Sequence, residues 1–351
     1  MKIKSNIFIC FIVLLVASLQ ISFPYKTANA YTVSRAESVM EMTSGRVLSS
    51  FNSDEKLPMA STTKVLTALT VIENYDLSTT VTVPKECVGI EGSSVYLQEG
   101  EKFTVKDLLY GLMLRSGNDC AETLAVILSG SIEEFVKKMN ETAKKYGANS
   151  SNFVNPHGLP NDNHYTTASD LCKISCVAMK NCEFKEIVSS KKYTATEINS
   201  GRKILWVNKN KLLSSYDGAN GVKTGYTVSA GRCLVSAAEK DGMQVVSVVL
   251  NSPQMFERSK ELLDYAFDNY KLTKIVDKEK FDYDIISSTG EAFKIGINED
   301  FYYPVKNGEK ISATVDIPEN FKVDLKKNLK VGDMKIYCQK HLIFSQGIFT
   351  L

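Results

Sequence analysis

Three segments late in the chain, VKTGYT (222–227), GRCLVSAAE (231–239) and QVVSVVL (244–250), constrain the fold more than any other feature. Near Gly221 the apolar period changes from that of a helix to that of a strand, and the Asp241-Gly242 pair between the last two segments is a hairpin turn signal. Neighbouring strands of an antiparallel sheet are therefore expected. Upstream, residues 63–73, 105–113, 120–128 and 132–146 carry apolar side chains at helical spacing, as does 259–269 downstream. ESVMEMTSGRVLSSFN (37–52) reads as a strand pair turning near 43–45. The first region is thus an α/β (α+β) domain, an antiparallel sheet flanked by helices. After Lys271 the texture becomes short alternating strands, EAFKIGI, KISATVDI and MKIYCQK, which predict a small all-β, sandwich-like domain over 271–351.

The first thirty residues read as an export signal. Lys2 and Lys4 precede a thirteen-residue apolar run (7–19), and Ala28-Asn29-Ala30 forms a small-residue cleavage site. That run is short for a membrane span, so a mature chain starting at Tyr31, with its first domain over 31–270, is expected outside the cytoplasm. Cleavage removes Lys2, Lys4 and Lys26 and no acid, so the net charge falls by three from +2 to −1. A nearly neutral protein is not built for nucleic acid. Seven of the eight cysteines remain, an odd number without CxxC or zinc spacing, and are read as free buried thiols.

The chemistry is carried by three short motifs in order. SxxK occurs four times, but only Ser61/Lys64 opens a long apolar helical pattern, where residues three apart share a face and Lys64 reaches back to the Ser61 hydroxyl. A serine there also has free backbone N–H groups and the positive end of the helix dipole around it, which stabilise an oxyanion. Ser116-Gly117-Asn118 follows in a loop between two helices. Lys223-Thr224-Gly225 heads a strand, offering a charge, a hydroxyl donor and a residue without a side chain, so that a substrate backbone can lie along the edge. SxxK, SxN and KTG in this order are the signature of class A β-lactamases and penicillin-binding proteins.

With GSSVYLQEGE, RSGNDCAETLA, FVNPHGL, HYTTASDL and VKTGYTVSAGRCLVSAA, the chain resembles the serine D-alanyl-D-alanine carboxypeptidases, low-molecular-mass penicillin-binding proteins, along its whole mature length. The resemblance implies a penicillin-binding, β-lactamase-like transpeptidase domain followed by the family's C-terminal β-domain. It implies that Ser61 attacks the penultimate D-alanine carbonyl of a peptidoglycan stem peptide ending in D-Ala-D-Ala, with unprotonated Lys64 taking its proton. Ser116 would relay the proton to the leaving D-alanine, and Asn118 would hold the peptide amide. Lys223 and Thr224 would bind the terminal carboxylate beside Gly225, with Arg258 adding charge there. The N–H groups of Ser61 and Tyr226 would form the oxyanion hole. β-Lactam antibiotics would be covalent inhibitors, and neither a cofactor nor a metal is called for. The implied setting is the cell wall, the outer face of the cytoplasmic membrane or the medium, with a role in cell-wall synthesis and cell shape. Many members lie on the membrane through an amphipathic C-terminal helix. The sequence reaches Leu351 without one, which leaves peripheral membrane contact an open expectation.

Other hydrolases fit less well. A class A β-lactamase needs a glutamate for its deacylating water, usually in an ExxLN segment, and none occurs. A zinc peptidase needs a ligand set, but HExxH is absent and His157 and His164 read as structural loop residues. GxSxG, the mark of many Ser-His-Asp hydrolases, is also missing. An inactive cell-wall or β-lactam sensor would have no need of an intact Ser61, Lys64, Ser116 and Lys223.

Overall fold

The computed structural model describes residues 34–281, 283–286, 290–317 and 327–351. The export segment falls outside them. β1 (Ala36–Glu41) and β2 (Val47–Phe51) form a hairpin, with Gly45 at φ +69° in its turn. The chain then builds α1 (Lys64–Asn74), the small pair β3 (Thr80–Thr82) and β4 (Lys102–Thr104), and the helices α2 (Val105–Tyr110), α3 (Asn118–Ser129) and α4 (Ile132–Lys145). α5 (Ala168–Lys180) and α6 (Cys182–Ser189) follow, then the pair β5 (Lys192–Thr196) and β6 (Lys203–Val207), and the single turn α7 (Leu212–Ser215). β7 (Ala219–Thr227), β8 (Gly231–Lys240) and β9 (Met243–Leu250) complete an antiparallel sheet of order β2-β1-β9-β8-β7. Asp241 and Gly242 both have positive φ in the β8–β9 turn, the geometry that a tight hairpin needs.

β9 is buried at all eight positions because both faces of the sheet are covered. On one face Val246, Val248 and Leu250 join the large core of α1 to α6. On the other, α8 (Met255–Asn269) lays Leu262, Leu263 and Ala266 against Val39, Leu234, Val245 and Val249. The site therefore lies on one side of the sheet and α8 on the other. Thr167 caps α5 by accepting from the Asp170 N–H at 3.0 Å.

The C-terminal region has β10 (Tyr270–Val276) paired with β13 (Phe301–Lys306). A second sheet has the order β11-β12-β16-β15-β14, built from Tyr283–Ile286, Ala292–Ile297, His341–Thr350, Lys330–Cys338 and Ile311–Asp316. Val276, Ile295, Ile297, Val331, Met334, Ile336 and Ile348 form its core. One side chain of the first region reaches into this one. Arg46, in the β1–β2 turn, donates to the Pro304 carbonyl at 2.6 Å and pairs with Glu309, while its guanidinium lies 5.0 Å and 4.8 Å from the rings of Tyr270 and Tyr303. The seven cysteines among the described residues are free, and all but Cys182 are buried.

Candidate active site

Ser61 sits in a 3-10 turn, Ala60–Thr63, that feeds directly into α1. The turn is locked by Thr62 Oγ1 donating to Met59 O (2.7 Å) and Thr63 Oγ1 to Ala60 O (2.8 Å), and Ala60 is held at φ +48°. His164 supports this lock. Its Nδ1 accepts from the Val154 N–H (3.1 Å), which leaves the proton on Nε2 to face Thr63 Oγ1 at 2.8 Å. Burial holds the His164 ring neutral, with a pKa of about 3.

Lys64 is fully buried and its Nζ has three neighbours: Ser61 Oγ at 3.1 Å, Asn118 Oδ1 at 2.7 Å and the His157 carbonyl at 2.7 Å. The two carbonyl oxygens can only accept. A neutral amine has two protons and one lone pair, so these acceptors use both protons and the lone pair is left for the Ser61 hydroxyl. Burial lowers the Lys64 pKa far below its ordinary value, and the charge of Lys223 lowers it further, against smaller opposing effects of Cys120 and Asp119. The fold thus favours the neutral amine of Lys64.

α2 passes into a π-helical turn, Gly111–Arg115, and ends at Ser116, held in the left-handed region at φ +66°. α3 begins only two residues later. Ser116 Oγ is buried and has no hydrogen-bond partner among the described residues, which is costly unless something else occupies that direction. Asn118 is fixed by three contacts: Nδ2 to Glu91 O (2.5 Å), N to Ser93 O (2.7 Å) and Oδ1 to Lys64. Asp119 holds the 94–97 segment through Ser94 Oγ (2.6 Å) and the N–H groups of Val95 and Leu97. GSSVYLQEGE is thereby tied to the SGN loop.

The third wall is β7, the edge strand of the sheet. Lys223 is buried, its Nζ 2.9 Å from Thr224 O, and burial together with the Lys209 charge brings its pKa down to about 7. A Cβ on Gly225 would lie 3.0 Å from Met59 O and 3.1 Å from both Ser61 N and Thr62 N. Glycine is therefore needed chiefly so that β7 can press against the Ser61 turn, a reason different from the expected clearance for substrate. Thr224 is partly open, and Tyr226 is exposed with Arg232 5.7 Å from its ring.

Arg258 is not at this site. It belongs to α8, where Nε and Nη2 grip the carboxylate of Glu37 (2.7 and 2.8 Å) and Nη1 reaches Glu261 (2.9 Å). Glu37 on β1 is only 2% exposed, and a buried carboxylate demands such a partner. The expectation that Arg258 adds charge at a substrate carboxylate is corrected accordingly.

Sequence reasoning missed three contributors. The His157 carbonyl has no side-chain signature, Asp119 sits inside a motif read only for its serine and asparagine, and Lys209 is a lone lysine. Lys209 donates through Nζ to Ser93 Oγ at 3.3 Å and through its backbone N–H to Leu114 O at 3.1 Å. The His157 ring faces Glu122 at 3.2 Å. Among the described residues no cluster of three or more His, Cys, Asp or Glu is arranged to hold a metal, and no helix is long and apolar enough to cross a membrane.

Comparison with known proteins agrees with this geometry. Residues 25–254 match the family described as D-alanyl-D-alanine carboxypeptidase, and residues 270–351 match the penicillin-binding protein 5 C-terminal domain. The chain is 32% identical to the D-alanyl-D-alanine carboxypeptidase DacF of Bacillus subtilis, over 88% of this chain and 79% of the relative. It is 38% identical to the D-alanyl-D-alanine carboxypeptidase of Streptomyces sp. strain K15, over 64% and 83%. Among solved structures, penicillin binding protein 5 from Haemophilus influenzae superposes with a TM-score of 0.77 at 27% identity, covering 91% of this chain and 96% of that one.

Proposed function

The chain belongs to the low-molecular-mass serine D-alanyl-D-alanine carboxypeptidase family, and from that membership we propose how its site works. Ser61 Oγ attacks the carbonyl of the penultimate D-alanine in a peptidoglycan stem peptide ending in D-Ala-D-Ala, and its proton passes to the lone pair of Lys64. The N–H groups of Ser61 and Tyr226 hold the oxyanion. As the carbon–nitrogen bond breaks, Ser116 Oγ passes its proton to the leaving amine, which departs as D-alanine, and takes one back from Lys64, leaving that amine neutral again. Water, deprotonated by Lys64, then cleaves the Ser61 ester, and the proton returns to Ser61 Oγ. Asn118 holds the peptide amide, and Lys223 with Thr224 reads the free carboxylate.

β-Lactams enter by the same first step and leave Ser61 acylated. The segment 1–30 directs export, so the enzyme acts on the cell wall outside the cytoplasmic membrane and contributes to cell shape, with any membrane contact peripheral. The observation that carries this reading is the 3.1 Å approach of Ser61 Oγ to an amine whose two protons are already used by Asn118 and His157. The test is release of D-alanine from diacetyl-Lys-D-Ala-D-Ala by the purified chain. Release that persists in Ser61→Ala would refute the mechanism.

A further inference from the structure

The proposed reaction leaves unused a cavity of about 320 Å³ beside the catalytic turn. Pro58, in its wall, lies three residues before Ser61, and His164, also in its wall, holds Thr63 Oγ1 at 2.8 Å. Ser229, in the β7–β8 turn, lines it too.

Backbone bonds fix these walls. Leu57 N donates to Thr166 O (2.8 Å) and Thr166 N to Leu57 O (3.0 Å), which sets the neighbouring Lys56 ammonium 4.8 Å from the centroid of the Tyr165 ring. Residues 161–164 form a tight turn: Asn161 O receives the His164 N–H and Asn161 Oδ1 the Asn163 N–H, both at 2.9 Å. Asn152 Nδ2 holds the Asn163 carbonyl at 2.6 Å. Asp162 sits within that turn, so the cavity is preformed.

Two opposite charges line it, and neither is paired. Among the described residues the Lys56 side chain has only the Tyr165 ring as a charge partner, and the Asp162 carboxylate has neither an ion pair nor a hydrogen bond. The third ionisable wall group, His164, is neutral, with both ring nitrogens engaged. A cation and a carboxylate that share a cavity without meeting leave room for a group carrying both charges in reverse. Pro58 and Tyr165 add apolar surface that suits a short hydrocarbon stem.

We propose that this cavity is a binding site for an α-amino-acid zwitterion, with the ligand carboxylate at Lys56 and the ligand ammonium at Asp162. Two sources carry that group. One is a free amino acid, such as the D-alanine that the proposed reaction releases. The other is a substrate side chain ending in an amine and a carboxylate on one carbon. A peptide read at Lys223 and Thr224 and held at the Tyr226 N–H continues along β7 toward Thr227 and Ser229, a residue of the cavity wall. That second source rests on the carboxypeptidase reading.

Three peptides ending in D-Ala-D-Ala test it, alike except at the preceding side chain, which ends in an acetylated amine, a free amine, or a free amine and a carboxylate on one carbon. In the parent chain kcat/KM should rise at each step, about five- to ten-fold in all, as for ion pairs at a half-open surface. Lys56→Met should erase the gain from the carboxylate and Asp162→Asn the gain from the amine, both leaving the acetylated peptide within about two-fold of the parent. If the parent cleaves all three alike, the free amino acid is the source: ligand-detected NMR should then show D-alanine binding the full chain saturably, and both substitutions should abolish that binding. Peptides cleaved alike, with D-alanine binding absent or surviving both substitutions, overturn the cavity's role and leave the function standing. A parent chain that cleaves none of the peptides refutes the carboxypeptidase reading, and the D-alanine measurement alone then decides the cavity.

Discussion

The Nζ of Lys64 lies 2.7 Å from the carbonyl oxygen of His157, and this contact, with the equal one to Asn118 Oδ1, takes up both protons of a neutral amine and turns its lone pair toward Ser61. Replacing Lys64 by alanine removes the only amine among the described residues in contact with Ser61. General base catalysis is worth roughly 10²- to 10⁴-fold, and losses of that order are expected in both D-alanine release and penicillin acylation. Lys64→Arg should not restore them, because a guanidinium does not give up its proton. Near-normal acylation in either variant, followed by stopped-flow or intact mass, would sink the assignment.

Two amines with opposite requirements predict a bell-shaped profile of kcat/KM against pH. Lys64 must be neutral, so activity is lost as pH falls through its depressed pKa. Lys223 must be charged, and its pKa of about 7 places the basic limb of kcat/KM near neutrality. The bound carboxylate favours charged Lys223, so the basic limb of kcat should lie at higher pH than that of kcat/KM. In Lys223→Ala the Lys64 amine loses a repelling neighbour and holds its proton to higher pH, which moves the acid limb up. The same change should cut kcat/KM about ten- to a hundred-fold and weaken preference for a free C-terminus over its amide. An acid limb that stays fixed in this variant would contradict the coupling.

Arg258→Ala should leave the discrimination between free acid and amide intact while destabilising the chain by about 3 kcal/mol, because it strands the buried carboxylate of Glu37. Thermal melts and the paired substrates of the previous test read the two effects separately. A variant of normal stability that no longer distinguishes the substrates would return Arg258 to the site.

His164 is neutral in the fold at a pKa of about 3, against 6.5 for an unhindered ring. The unfolded chain takes up the proton first, so this group lowers stability as pH falls from 6.5 toward 3 and has no effect above that window. His164→Gln, which loses the ring contact to the Thr63 lock, should melt earlier at neutral pH and show a shallower loss of stability on acidification. An unchanged pH slope would refute this account of the ring.

Arg46→Ala should loosen the C-terminal region without slowing Ser61. It deletes the pair with Glu309, the bond to Pro304 O and the contacts with Tyr270 and Tyr303. Faster limited proteolysis after Phe267, with penicillin acylation at the parent rate, is the expected outcome.

Much of this was legible in the sequence for physical reasons. Ser61 and Lys64 announce themselves because residues three apart on a helix share a face, and the Asp241-Gly242 turn follows from its demand for positive φ. Arg258 misled because its partner Glu37 lies 221 residues away on another strand, and nothing local to the helix start reveals a buried carboxylate. The sequence reading does not single out α5, although its Thr167 and Asp170 carry a cap signal, nor β10, β13 and β16. His157 contributes a backbone carbonyl, which no residue type encodes, and Lys209 acquires meaning only from the loop that places it.

The most direct test of the central claim is intact and peptide-level mass spectrometry after incubation with benzylpenicillin. The account predicts one covalent adduct, localised to the peptide containing Ser61, lost slowly on standing and absent from Ser61→Ala. Rapid penicillin hydrolysis without an adduct, or an adduct on any other residue, would contradict it.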